Sequence, residues 1–235
     1  MAKHIKGNGA EISLTGVRAM KWLEKKLQIK FLSYGIITAF ALLAYCNSFS
    51  VPFTLDDFGS ISNNNAIHQL FDFPALWKFY ANRIVLYFTL SLNYAVHDNG
   101  VEGYHIVNLI IHLLNGILFY LILRKVFSLD YFKGKLLWRY EKSVSLIAAV
   151  MFVTHPMQVN AVTYIVQRTA SLAACFYLLA ILFFIKYRLQ DKPYQLILTV
   201  LFTATAMFTK ENTITIPFLL LLIELMFFLN GIKEY

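Results

Sequence analysis

The sequence predicts an all-α polytopic membrane protein with about six transmembrane helices, and three observations carry that prediction. The 235 residues are 58% hydrophobic and only 14% charged, whereas soluble domains carry about 25% charged residues. Apolar runs recur at lengths near the roughly 20 residues that one helical crossing needs. The cations fall almost entirely between alternate runs, as membrane topology requires. Intrinsic disorder and a disulfide-stapled secreted scaffold are excluded by the same composition. The net charge of +8 follows topology rather than one basic face, so no nucleic-acid partner is expected.

Residues 1–30 are polar and basic, with Val17, Met20, Leu23 and Leu27 at helical spacing and Arg18, Lys21 and Lys25 on other faces. This pattern suits a basic amphipathic helix on an anionic membrane surface. The 31–230 stretch is the membrane domain. It opens with an apolar run from Phe31 to about Ser50, read as an uncleaved first crossing because a secretory signal has a shorter apolar core. Residues 51–102 then break the pattern with Asp56-Asp57 and an asparagine turn at 63–65. They continue as aromatic stretches (Phe71 to Tyr80, Ile84 to Ala95) suited to interfacial helices.

The second crossing runs from Gly103 to about Leu123, followed by a basic loop over 124–142. The third starts at Ser143 and is broken at His155-Pro156, because proline removes a helix donor and clashes with the preceding turn. Thr169 to about Ile185 and Tyr194 to Phe208 are the next two crossings, the latter preceded by Pro193 where a helix start tolerates it. Ile214 to Leu229 is the last, leaving a short tail at 231–235. Glu224 lies inside this run and needs a partner or a proton. Cys46 and Cys175 lie in apolar segments without metal-ligand spacing and read as small packing residues.

With the amino terminus cytoplasmic, the inside segments 1–30, 124–142, 186–192 and 230–235 hold 17 of the 21 Lys and Arg residues. Both termini are therefore expected in the cytoplasm of an integral protein of the plasma, inner or endoplasmic-reticulum membrane. The same topology gathers the unusual polar residues outside: Asp56, Asp57, Arg83, His105, His155, Gln158, Arg168, Lys210, Glu211 and Asn212. Charged groups near hydrocarbon are costly and tend to line a cavity, so their convergence from separate segments points to an outward-facing site. Neighbouring carboxylates diverge along the backbone. One of Asp56 and Asp57 can act as base or metal ligand while the other supports it, although a solvated turn accounts for the pair too. Arg168 suits either a phosphate clamp or a lipid anchor, and Lys210-Glu211 suits a local ion pair. His105, Asn108, His112 and Asn115 form one stripe on the second crossing, the pattern of polar glue between helices.

Three segments carry a resemblance: Gly103–Asn115 (GYHIVNLIIHLLN), His155–Arg168 (HPMQVNAVTYIVQR) and Lys210-Glu211-Asn212. Together with the Asp56-Asp57 loop and Asn93-Tyr94, they are similar in order and character to the transmembrane and tetratricopeptide-repeat O-mannosyltransferases. That family belongs to the GT-C glycosyltransferase superfamily, and the resemblance covers about residues 30–230. It implies a GT-C-like fold with interfacial helices in the first outer loop. It also implies an enzyme that takes a sugar from a polyprenyl-phosphate donor to a protein or glycan acceptor on the periplasmic or lumenal side. An acidic residue of the first outer loop, Asp56 or Asp57, would be the catalytic base. Arg168 and Lys210 would bind the donor phosphate, with Arg83, His105, His155, Gln158, Glu211 and Asn212 in support. Some members of the superfamily use a divalent metal such as Mg²⁺ or Mn²⁺ and others do not, so the metal is left open.

The family's membrane region continues further than this sequence, which stops at Tyr235, so a short, truncated version is expected. Two functions follow: a polyprenyl-phosphate-sugar-dependent glycosyltransferase, or a non-catalytic subunit that packs against a partner membrane protein in a larger assembly.

Overall fold

A computed structural model describes residues 31–229. The amphipathic pattern of 1–30 and the tail at 231–235 lie outside the described residues. Every regular element among the described residues is helical. In chain order these are α1 (Phe31–Tyr45), a single π-helical turn at Phe58–Ser62, and α2 (Asn65–His68). Next come α3 (Phe73–Tyr80), α4 (Ile84–His97), α5 (Val101–Phe127), α6 (Leu136–Arg139) and α7 (Glu141–Thr154). The described residues close with α8 (Val159–Thr163), α9 (Arg168–Gln190), α10 (Pro193–Met207) and α11 (Ile216–Phe227), and short 3₁₀ turns at Ala81–Arg83, Asp130–Phe132, Pro156–Gln158, Ile165–Gln167 and Glu211–Thr215 lie between the helices.

Two spans are long and apolar enough to cross a membrane: α5, and the helical stretch Ile165–Gln190 that contains α9. A third joins them if the α7–α8 pair is one broken span, bent by 50° at His155-Pro156 where the proline was expected to break it. The expected count of six is therefore not reached by helix length. The 15 residues of α10 cover about 22 Å at 1.5 Å per residue, short of the roughly 30 Å hydrocarbon core. The aromatic stretches form α3 and α4, joined by a 3₁₀ turn at Ala81–Arg83, and Asp72 caps α3 by accepting from the Ala75 N–H at 3.1 Å.

α5 is the spine. It packs along α9 on one side and α7 on another, and α9 packs along α10. Gly116 makes the α5–α7 approach possible, since a Cβ there would run into Val153. Gly103 likewise lies where a Cβ would overlap the His97 ring. The stripe on α5 behaves as interhelical glue. His112 Nε2 donates to the Val153 carbonyl at 3.0 Å and Asn115 Nδ2 to the Ser171 carbonyl at 2.7 Å. Near its start, α5 joins the π-turn, α2, α3 and α4 around a common core of Ile61, Ile67, Leu76, Leu90, Tyr104 and Ile165. Segment 51–102 is thus a packed helical unit seated at one end of the bundle. Cys175 is buried as a packing residue, whereas Cys46 is exposed.

Candidate functional site: two polar clusters tied to the start of α9

The first cluster forms around the two adjacent aspartates, which the backbone sends in different directions. Asp57 is buried. Its Oδ1 accepts from the Val166 N–H at 2.8 Å, and its Oδ2 accepts from the Thr54 N–H at 3.0 Å and the Thr54 hydroxyl at 3.4 Å. Burial raises the Asp57 pKa above the ordinary aspartate value, and the donors from Thr54 and Val166 oppose that rise. This carboxyl fastens the loop after α1 to the turn before α9. Asp56 is exposed, and its N–H donates to the Tyr164 hydroxyl at 3.0 Å. Its carboxylate is therefore the one open to an incoming molecule. His105 is buried on α5 and donates from Nε2 to the Val51 carbonyl at 2.8 Å, which fixes the base of the same loop.

Arg168 opens α9 and is fully buried. Removing a cation from water costs several kcal/mol, and among the described residues no carboxylate pairs with it. Four carbonyl-type acceptors do so instead: Asn108 Oδ1 at 2.6 Å, Asn93 Oδ1 at 2.8 Å, and the Thr89 and Tyr104 carbonyls at 3.2 Å each. The Tyr104 ring lies 5.7 Å from the guanidinium carbon. Asn108 also donates to the Val162 and Ile165 carbonyls at 3.3 Å, so α4, α5, α8 and α9 meet in one knot. The side chain expected at the outer interface, as a phosphate clamp or a lipid anchor, thus lies inside this knot. The guanidinium points inward, where Asn93 and Asn108 offer fixed acceptors in place of the water it gives up on burial.

The second cluster surrounds the turn after α10. Thr169, next to Arg168, donates to the Thr209 carbonyl at 3.0 Å and so anchors this turn to the start of α9. The expected local pair between Lys210 and Glu211 is replaced by a longer-range one. Arg83 forks onto Glu211, Nε to Oε1 at 3.2 Å and the terminal nitrogen to Oε2 at 3.1 Å. The Tyr80 ring lies 5.0 Å from the same guanidinium. Arg83 lowers the Glu211 pKa below the ordinary glutamate value.

Glu211 being engaged elsewhere, Lys210 lines a groove of about 370 Å³ with Asn212, Thr213 and Thr215. Phe119, Phe152, Ala170, Ala173, Ala174, Tyr177 and Leu178 form the remaining, mostly apolar wall. The groove has the character of a site for an amphiphile: hydrocarbon along α9, with an ammonium and short polar side chains at one side.

Of the other expected residues, His155 is exposed and caps its own turn, Nδ1 accepting from the Met157 N–H at 3.2 Å. The Gln158 N–H donates to the His155 carbonyl at 2.9 Å, which makes both part of the bend rather than of either cluster. Tyr164, Asn93 and Thr209 enter the clusters without having been singled out individually. The Asn93-Tyr94 stretch and the α5 stripe were the available signals for the Arg168 knot. Glu224 finds its partner in Arg188 of α9, Nε to Oε2 at 2.8 Å. Among the described residues, no three His, Cys, Asp or Glu side chains come together as a metal-ligand set.

No protein-family model matches the chain, and no solved structure does. Sequence relatives do. Protein O-mannosyl-transferase TMTC3 of Mus musculus is 27% identical over 210 residues, which cover 82% of this chain and 21% of the relative. Protein O-mannosyl-transferase TMTC4 of Homo sapiens is 27% identical over 205 residues, 77% of this chain and 27% of the relative. Protein O-mannosyl-transferase F38B6.6 of Caenorhabditis elegans is 28% identical over 167 residues, 65% and 23% respectively. The chain therefore spans about a fifth to a quarter of the length of the curated relatives it matches. It is an integral membrane protein similar, over most of its length, to the TMTC O-mannosyltransferases, the family that its motifs resemble.

Proposed function

We propose that the chain is a membrane glycosyltransferase region that moves a sugar from a polyprenyl-phosphate donor to a protein or glycan hydroxyl on the outer face. Mannose is the sugar suggested by the names of the relatives. The observation that carries this reading is the groove beside α9, apolar along most of its wall and bordered by Lys210 and Asn212. A polyprenyl chain suits the apolar wall, and the ammonium suits the phosphate. The two clusters are tied to residues only three apart, Val166 and Thr169, which supports a donor site and an acceptor base belonging to one centre.

In this reading the acceptor oxygen attacks the anomeric carbon of the donor as the bond from that carbon to the phosphate oxygen breaks. The phosphate leaves with the bonding pair and its growing charge is met by Lys210. The acceptor proton passes to the Asp56 carboxylate. Asp57 and Arg168 position this machinery: the first holds the Asp56 loop, and the second holds the start of α9. The residues present offer no assembled donor set for Mg²⁺ or Mn²⁺ among those described, so no step is assigned to a metal. The six-crossing topology with both termini cytoplasmic belongs to the same proposal, and puts both clusters outside.

A second reading, a non-catalytic subunit bound to a partner membrane protein, is favoured by one observation. Both Asp57 and Arg168 are consumed by internal hydrogen bonds. The two readings separate in membranes supplied with radiolabelled polyprenyl-phosphate mannose. Transfer by wild type that falls at least about tenfold in Lys210→Gln, with the protein still folded, supports the transferase. Equal product with and without wild-type protein overturns it and leaves the subunit reading.

A further inference from the structure

α5 carries the chain about 40 Å from the 51–102 unit before it turns, close to the 40–45 Å thickness of a bilayer with its headgroups. Residues 124–142, at this opposite end, hold six Lys or Arg residues against two acids. Both acids are engaged locally: Glu141 accepts from Arg124 at 2.9 Å, and Asp130 lies 3.7 Å from Lys133. Positive charge remains on Lys135, Arg139 and Lys142. Lys135 Nζ rests 3.9 Å from the centre of the Tyr131 ring, and the Arg139 guanidinium 5.6 Å from that of Tyr140.

Between these cations α6 turns Leu136 and Trp138 outward, 71% and 46% exposed. Trp138, Arg139, Tyr140 and Lys142 line a groove of about 480 Å³. Cations and outward apolar side chains thus alternate at the level where a bilayer changes from hydrocarbon to headgroup. Anionic phospholipid meets both halves of that pattern, the charge and the apolar surface.

We propose that segment 128–142 docks anionic phospholipid headgroups of the leaflet at this end of α5. Lys135, Arg139 and Lys142 face the phosphates while Leu136 and Trp138 enter the acyl boundary. The proposal stands independently of the transferase reading.

The test uses the full chain purified in detergent micelles containing equal phosphatidylglycerol and phosphatidylcholine, with retained lipid read by native mass spectrometry. Wild type is expected to retain phosphatidylglycerol preferentially. K135Q/R139Q/K142Q is expected to lose that preference about tenfold or more, while the charge-conserving K135R/R139K/K142R keeps it. Unchanged preference in the glutamine variant overturns the proposal. So does displacement of the lipid by millimolar inorganic phosphate, which would make this a site for the free anion. A W22F/W77F protein reports on Trp138 without altering any charge. Stronger quenching by brominated phosphatidylglycerol than by brominated phosphatidylcholine supports the surface, and equal quenching overturns it.

Discussion

Arg83 and Arg168 are the same residue type at the same end of the bundle, in opposite surroundings. Arg83 sits at the rim, forked onto a single carboxylate and shared with water. Arg168 lies in the interior, held by four neutral oxygens and, among the described residues, by no carboxylate. The comparison teaches how each charge is used. A rim pair in high dielectric contributes only about 0–1 kcal/mol and can reorganise around a ligand. A buried guanidinium cannot move without stranding its acceptors, so Arg168 holds the frame while Arg83 keeps Glu211 away from Lys210.

The comparison breaks most visibly at Arg168. Arg168→Met strands the Asn93 and Asn108 oxygens and two backbone carbonyls, with an expected loss of about 3 kcal/mol or more. Arg168→Lys recovers little of it, because an ammonium does not reproduce the planar fork. Melting in detergent measures both, and a rim-like loss below about 1 kcal/mol would contradict the interior assignment. Asp57→Ala comes next, at about 1–3 kcal/mol, because the Val166 and Thr54 N–H groups lose their acceptor. Limited proteolysis should then open the 51–57 loop before the helices. Asp56→Asn should leave both readouts near wild type.

Smallest is Glu211→Gln, within about 1 kcal/mol and weaker still in high salt. The pH dependences of the two acids have opposite signs. Glu211 has a lowered folded pKa, so its contribution is present above the ordinary glutamate value of about 4.3 and is lost as pH falls through the folded value. Asp57 has a raised one, so its contribution is complete below the ordinary aspartate value of about 3.9 and is lost as pH rises through the folded value. Melting across pH should therefore show Glu211→Gln flattening the acid side, and Asp57→Asn flattening the fall above it.

What could be read from the sequence was what local pattern determines. Apolar runs, the break at His155-Pro156, the start at Pro193 and the polar stripe of α5 all follow from composition and spacing, and the helices reproduce them. The division of labour between Asp56 and Asp57 was readable only as a pair of alternatives. What distinguishes their surroundings includes the Val166 N–H, 109 positions from Asp57. The burial of Arg168 has no local signal, because its acceptors on Thr89, Asn93, Tyr104 and Asn108 lie 60 to 79 residues off in sequence. Nor does local pattern show that Glu211 turns from its neighbour to Arg83, 128 positions back. Of the later crossings only the last is shorter than expected: Glu211–Thr215 forms a 3₁₀ turn that takes Ile214 and Thr215 out of the run, so α11 covers Ile216–Phe227, whereas α10 has the expected length and α9 exceeds it.

The central claim is that the adjacent aspartates divide the work, Asp57 holding the loop and Asp56 taking the proton. Its most direct measurement is glycan mass spectrometry of exported proteins from cells lacking this chain, restored with wild type or Asp56→Asn at matched membrane levels and matched melting temperature. The account predicts a hexose-sized mass that returns with wild type and stays absent with Asp56→Asn. Full restoration by Asp56→Asn would contradict it.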